Sequence, residues 1–469
     1  MAQKFKETII KQVTIGNLTD GGRCIAHAAN QIVFVAQTAP GDIVDIKITK
    51  QKKGYAEAIP IHLHKPGKAR IQPFCSHFGV CGGCQWQHIS YQEQLAAKEQ
   101  LVKDKLMHIG HIPCPPVAQI IAAQPTQYYR NKLEFTFSNK RWLSETEIQD
   151  GHLLDRRALG FHKPKYFDKV VAIKHCYLQP DPSNAIRLAI SQFAQDQDWD
   201  FYDLRQNRGL LRNLVIRTTT TQEVMVIVQF GEADKPKIDL MMDYIQQQFP
   251  GLTSLQYVIN TKPNDTFYDL PVHCYAGQPY VTEQIDGLQW QIGPQSFFQT
   301  NPAQAKVLFK TVLELAALQG HELVYDLYTG VGTMAHCLAQ QAHHVVGIEL
   351  IESAIKDARI NAKINQLNNV SFQVGDIRTM LHEELLATYG KPQLIVVDPP
   401  RAGMHLDVIK QLLYIAPEKI IYVSCNPATQ ARDINYLQAT YQLTQAQPID
   451  MFPHTSHVEN VALLTKKSA

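Results

Sequence analysis

Asp326-Leu327-Tyr328-Thr329-Gly330-Val331-Gly332-Thr333 reads as the turn between a strand, Leu323–Leu327, and a helix over 334–341. Its glycines let the backbone approach a ligand closely, above the start of the helix. The next strand, 344–350, carries Gly347-Ile348-Glu349, and Glu349 lies 23 residues after Asp326. An acidic residue at that place and distance typically binds ribose hydroxyls. The turn lacks the dinucleotide spacing G-x-G-x-x-G, so a single nucleoside ligand suits it better than NAD.

Strand–helix alternation continues outward from this turn. A helix over 353–366 precedes strands at Val370–Val374, 393–397 and Lys419–Ser424. Runs such as Leu394-Ile395-Val396-Val397 fit strands buried on both faces of a parallel sheet. Segments 443–451 and 458–465 form a candidate antiparallel hairpin at the sheet edge. The region from 286 to 469 is therefore a doubly wound, Rossmann-like α/β domain. For a domain of this kind S-adenosylmethionine is the leading nucleoside ligand.

Three further motifs fall at strand ends of this domain. Asp398-Pro399-Pro400-Arg401 follows the strand at 393–397, where open α/β sheets place their ligands. Pro-Pro by itself is a rigid turn. Base-modifying methyltransferases often carry an acidic residue or Asn with Pro-Pro here, and an aromatic usually follows when an adenine amino group is the target. Arg401 in that place disfavours amino-group methylation. Val423-Ser424-Cys425-Asn426-Pro427 puts a cysteine just past a strand. A lone cysteine is more often a core residue, but beside a ligand cleft its thiolate is a plausible nucleophile. His457-Val458-Glu459-Asn460 opens the last strand. Glu459 alone is an ordinary edge charge; next to a nucleophile it becomes a candidate proton acceptor.

A different signal lies near the other end of the chain. Cys75-x5-Cys81-Gly82-Gly83-Cys84 gathers three cysteines too closely for core packing. Zinc and an iron–sulfur cluster both want four thiolates, and spacing does not choose between them. Cys114 and Cys176 are the candidates for the fourth ligand. Nine cysteines in 469 residues do not make a disulfide scaffold. No signal peptide or membrane-length apolar run is evident, so a reducing cytoplasm is the expected setting.

Residues 1–64 read as short strands at 7–17, 31–37, 43–49 and 55–61, broken by Asp20-Gly21-Gly22, Pro40-Gly41-Asp42 and Lys52-Lys53-Gly54. Such strands suggest a small OB-like barrel, a type that commonly binds RNA. The whole chain carries a formal net charge of only +2, which taken alone argues against a polyanion. The charge is uneven, however. Residues 1–70 hold 11 Lys+Arg against 5 Asp+Glu, whereas 291–469 hold 13 against 15. The basic excess, with Lys47, Lys50, Lys52 and Lys53 around one turn, sits where RNA contact is expected. Residues 65–115 contain the cysteines and a linking helix over 91–107. Residues 116–285 alternate strands (132–137, 214–218, 223–230, 255–260) with short helices as an α+β region.

As a set, these motifs resemble the RNA uracil-C5 methyltransferase family, in particular its 23S ribosomal RNA members of the RlmD type. The resemblance implies a TRAM barrel (1–64), a central RNA-binding domain (116–285) carrying a 4Fe–4S cluster, and a methyltransferase domain (286–469). It places cluster ligands on Cys75, Cys81, Cys84 and Cys176, which excludes Cys114 and zinc by analogy. It places S-adenosylmethionine contacts on Gln299, Tyr328, Glu349 and Asp398, with Asp376 a weaker candidate on the adenine side. It makes Cys425 the nucleophile and Glu459 the base. The expected partner is 23S rRNA, with tRNA as the alternative; no membrane and no obligate protein partner are indicated. A cytosine-C5 enzyme is disfavoured by Asp-Pro-Pro in place of Pro-Cys. A non-catalytic RNA-binding or assembly protein is disfavoured by the intact Cys425, Glu459 and Asp398.

Overall fold

Alternating apolar and polar residues along Ile43–Lys52 bury Val44, Ile46 and Ile48 on one face. This strand lies between Ile9–Thr14 and Tyr55–Lys65 in a five-stranded sheet ordered Ile9–Thr14, Ile43–Lys52, Tyr55–Lys65, Gln31–Val35, Cys24–Ala28. Lys52 pairs with Tyr55, so the lysine-rich turn is a tight hairpin. The computed structural model describes residues 8–19, 21–150 and 155–468; the predicted turn residue Asp20 and the strand start Glu7 lie outside them. The strand Cys24–Ala28, rich in alanine and short, carried no sequence signal of its own.

The described chain divides into two compact units that do not follow chain order. The first comprises residues up to 79, 84–126 and 398 onward; the second comprises 80–83 and 127–397.

In the first unit, the five-stranded sheet is joined by the helix Tyr91–His108, whose buried positions are Gln94, Lys98, Val102 and Leu106. Two of those four are polar, and each has a partner in the C-terminal segment. Lys98 Nζ lies 2.6 Å from Asp450 Oδ1 and donates to the Phe452 carbonyl at 3.0 Å. Tyr91 donates to the other Asp450 oxygen at 2.8 Å. Gln94 donates to the Trp86 and Ile89 carbonyls and accepts from the His454 N–H. The expected C-terminal hairpin is present: Tyr441–Ile449 and Glu459–Lys466 pair antiparallel, and the latter also pairs with Lys419–Ser424.

The second unit holds a mixed seven-stranded sheet and four parallel strands. The mixed sheet runs His273–Gly277, Ser254–Ile259, Val224–Phe230, Leu211–Thr218, Lys132–Ser138, Ala158–His162, Val170–Ala172. Its centre, Leu211–Thr218 and Val224–Phe230, is buried at every residue. The parallel strands lie in the order Val370–Val374, His344–Glu349, Leu323–Leu327, Leu394–Val397, as their apolar runs predict. Among the described residues no helix is long and apolar enough to cross a membrane.

Candidate active site

In the second unit the glycine turn is built against the neighbouring strand. Tyr328 and Thr329 both donate backbone N–H groups to the Ile348 carbonyl, at 3.0 and 3.1 Å. Tyr328, Gly330 and Gly332 have positive φ (65°, 55° and 80°). A Cβ on Gly332 would meet Phe372 at 2.9 Å and His336 at 2.8 Å, so glycine is required there. The buried Asp326 accepts from the Thr329 hydroxyl and sets the turn from below. Glu349, at the next strand end, accepts from Gly330 N–H at 3.2 Å and Ile351 N–H at 3.0 Å. The predicted pair Tyr328 and Glu349 is therefore joined through one turn.

Gln299 is half-buried in the segment before the helix Pro302–Ala316, and its carbonyl accepts from Asn131 Nδ2 at 3.1 Å. Asn301 caps that helix by accepting from Gln304 N–H. Asp376 caps the turn after Val370–Val374 and is held by Arg378 Nε at 2.8 and 3.0 Å. Its carboxylate is thus already engaged by a guanidinium.

In the first unit the strand-end motifs converge. Ser424 pairs with Asn460 and Ile449 with Glu459. Continuing that register by one step sets Glu459 opposite Cys425. Glu459 is 6% exposed, and its carboxyl is pushed well above the ordinary carboxylate range by burial first and by the charge of Asp398 second, against the pull of Arg401. Burial also pushes Asp398 up, from an ordinary 3.8 to about 7. The Cys425 thiol is raised by burial and then by the Glu459 charge, while Arg401 lowers it through its charge and a hydrogen bond. Four predicted or quoted residues thus form one electrostatic group, in which Arg401 is the cation that favours the thiolate.

The frame of this group is polar and was not read from the sequence. Asn426 caps the helix Pro427–Leu437 and donates to the Arg401 carbonyl at 3.0 Å; Thr429 donates to the same carbonyl at 3.2 Å. Asp433, fully buried, accepts from Met404 N–H (2.8 Å), the Tyr422 hydroxyl (2.7 Å) and Arg432 Nε (2.8 Å). Gly403, with φ of +79°, clears that cluster; a Cβ there would meet Asp433 Oδ2 at 2.6 Å. Gln430 donates to the Tyr422 and Asn460 carbonyls and accepts from Asn460 Nδ2. Gln430 and Asp433 are three apart on one helix face, and that polar pair amid buried Ala431, Ile434 and Leu437 was the available signal.

Cys75 and Cys84 belong to the first unit, Cys81 and Cys176 to the second. Among the described residues no group of three or more His, Cys, Asp or Glu side chains is arranged to hold a metal ion. The donor chemistry nonetheless suits a cluster: all four are thiols, and Gly83 N–H donates to Cys81 Sγ at 3.3 Å. Gly82 packs tightly, since a Cβ there would meet the His162 carbonyl at 2.9 Å.

A glycine turn of this form, on parallel strands with an acidic residue at the next strand end, defines a methyltransferase-like α/β domain. Residues 277–467 match the tRNA (Uracil-5-)-methyltransferase family, and residues 8–61 match the TRAM domain. An RNA methyltransferase of Bacteroides thetaiotaomicron is 48% identical over 94% of this chain and 98% of its own length. One from Porphyromonas gingivalis is 46% identical over 97% and 99%. Both are described as uncharacterized. The crystal structure of Pyrococcus abyssi tRNA (uracil-54, C5)-methyltransferase in complex with S-adenosyl-L-homocysteine aligns at a TM-score of 0.74 and 27% identity, over 97% of this chain and all of that one. The chain belongs to this family of RNA uracil-C5 methyltransferases, with an N-terminal TRAM domain.

Proposed function

We propose that this enzyme uses S-adenosylmethionine to methylate C5 of a uridine in 23S rRNA through a covalent Cys425–C6 adduct. The observation that carries the chemistry is the register that sets Glu459 opposite Cys425, with Arg401 lowering the thiol and Asp398 and Glu459 buried beside it. Uracil C5 is a weak nucleophile. Addition of the Cys425 thiolate to C6 moves the ring π electrons onto C5 and O4. C5 then takes the methyl group from the sulfonium, leaving S-adenosylhomocysteine. The Glu459 carboxylate removes the C5 proton, the C5–C6 double bond re-forms, and the thiolate departs. A carboxylate whose pKa is raised by burial is a stronger base once ionised. The uridine must leave its stack to reach these groups.

For the methyl donor, Tyr328, Glu349, Gln299 and Asp398 are the binding residues of this reading, with Asp376 shared between Arg378 and the adenine side. Glu349, held by two backbone N–H groups, is placed to accept from ribose hydroxyls. Cys75, Cys81, Cys84 and Cys176 are read as ligands of a 4Fe–4S cluster, a structural group in a reaction that transfers no electrons. The segmental reading is an OB-like TRAM barrel at 1–64, a cysteine segment at 65–115, an RNA-binding region at 116–285 and the methyltransferase region at 286–469, in a cytoplasmic enzyme.

RNA containing 5-fluorouridine tests the mechanism, because fluorine cannot leave as a proton. Wild type with S-adenosylmethionine should accumulate a denaturant-stable protein–RNA adduct and Cys425→Ala should form none; an equal adduct in the variant refutes the nucleophile. tRNA is the second reading, favoured by the likeness to the Pyrococcus abyssi tRNA enzyme. Methylation of 23S fragments and tRNA side by side decides between them. Anaerobically purified protein should contain iron and sulfide; a colourless protein with stoichiometric zinc overturns the cluster.

A further inference from the structure

The second unit carries an aromatic and basic projection that neither the methyl-transfer chemistry nor the glycine turn uses. Between the strands Ala158–His162 and Val170–Ala172 the chain makes the turn 163–169, closed by Lys163 N–H to the Lys169 carbonyl (2.8 Å) and Tyr166 N–H to the Lys163 carbonyl (3.0 Å). Phe167 is 62% exposed and Tyr166 48% exposed, although large aromatic rings are costly to leave in water. Neither ring is isolated. The Arg205 guanidinium lies 5.0 Å from the Phe167 ring centroid, and the Lys163 ammonium 5.0 Å from that of Trp142. Trp142 in turn sits 5.4 Å from Tyr166.

Lys163, Lys165 and Lys169 lie on the turn itself, and Arg205 sits over the Phe167 ring. The acids among them are withdrawn: Asp168 is buried on Arg205, and Asp203 is buried on Lys140 and Asn139. Those acids balance Arg205 and Lys140, and the exposed Asp265 acts on His162, so the cationic charge of this face comes from the lysines of the turn. Flat rings with interleaved cations are the surface that single-stranded nucleic acid uses, bases on the rings and phosphates on the cations. A protein partner would want the rings without the unbalanced charge. The turn is also braced from behind, since Pro164 lies 3.5 Å from the Cβ position of Gly82 in the cysteine segment.

We propose that Tyr166 and Phe167, flanked by Lys165 and Arg205, form a stacking platform for unpaired nucleotides of the RNA substrate. The platform rests on the RNA methyltransferase reading for its ligand, and it places recognition of an unpaired flank on the second unit.

Filter binding with a mixed-sequence 12-mer single-stranded RNA and a fully paired RNA hairpin tests it. Tyr166→Ala/Phe167→Ala should weaken the single strand by about 5- to 100-fold, the worth of one stacked base or more, and leave the salt dependence unchanged. Lys165→Ala should instead reduce the log–log salt slope by about 0.7. The paired hairpin should respond little to the double aromatic variant. Equal binding of the single strand by wild type and the double variant overturns the proposal, as does an equal loss on both RNAs. Calorimetric binding of S-adenosylhomocysteine checks that the variants are folded. In methylation assays the double variant should raise KM for RNA with kcat kept. If wild type binds the single strand through these rings yet methylates no RNA, the platform stands and the functional reading falls; if it methylates and KM is unmoved, the platform falls.

Discussion

The Cys425 group of the first unit and the glycine turn of the second are built from different materials. Around Cys425 the ionisable groups are crowded and desolvated, so Glu459 and Asp398 are pushed toward their neutral forms. Around Tyr328 the framework is backbone: N–H groups donate to the Ile348 carbonyl and to the Glu349 carboxylate. Covalent chemistry on a base needs proton acceptors of tuned strength, and burial tunes them. Holding a nucleoside needs fixed geometry, which glycine turns provide. The cost falls accordingly on electrostatics in one region and on backbone conformation in the other.

Substitutions can break this contrast. Glu459→Gln should slow turnover by about 10²- to 10⁴-fold while letting the adduct with ordinary uridine RNA persist on denaturing gels. Normal turnover, or loss of adduct formation altogether, would remove Glu459 from the deprotonation step. Asp433→Asn touches only the frame. It should lower stability by about 1–3 kcal/mol, read as a urea midpoint shift at constant slope, because Met404 N–H, Tyr422 and Arg432 lose a charged acceptor. Glu349→Gln should raise KM for S-adenosylmethionine about tenfold, the equivalent of ~1.4 kcal/mol, with kcat kept; a fall in kcat alone would give Glu349 a role in chemistry.

A further prediction concerns pH dependence. Asp398 has a folded-state value of about 7 against an ordinary 3.8. The folded chain therefore binds more protons between those values, and this group's contribution to stability is lost as pH rises from about 4 to about 7. Asp398→Asn should flatten that descent in urea midpoints measured across the window. An unaltered profile would mean that Asp398 is not the group withdrawn from water.

Local signals in the sequence carried a good share of both regions. The apolar strand runs, the glycine turn and Glu349 follow from periodicity and turn chemistry, whereas Cys425 and Glu459, by themselves a core cysteine and an edge charge, were singled out through the family resemblance. The frame was not legible for a physical reason. Asp433, Gln430 and Lys98 look like surface residues until tertiary structure buries them against partners far away in the chain, as with Lys98 and Asp450. Asp376, a weaker adenine-side candidate by resemblance, shows another such pairing, since Arg378, two residues on, holds its carboxylate. No propensity reports such pairings.

The fully buried ion pair of Lys98 with Asp450 has a consequence for how the protein is made. Every residue of the second unit has been synthesised once position 397 is added. The helix Tyr91–His108 emerges far earlier, yet its ammonium has no carboxylate to meet until Asp450 follows. Burying that lysine alone would leave an uncompensated charge. Assembly on the ribosome therefore runs out of step with translation: the middle of the chain can close first, while the early helix waits for the late strands that also bring Cys425 and Glu459 into register.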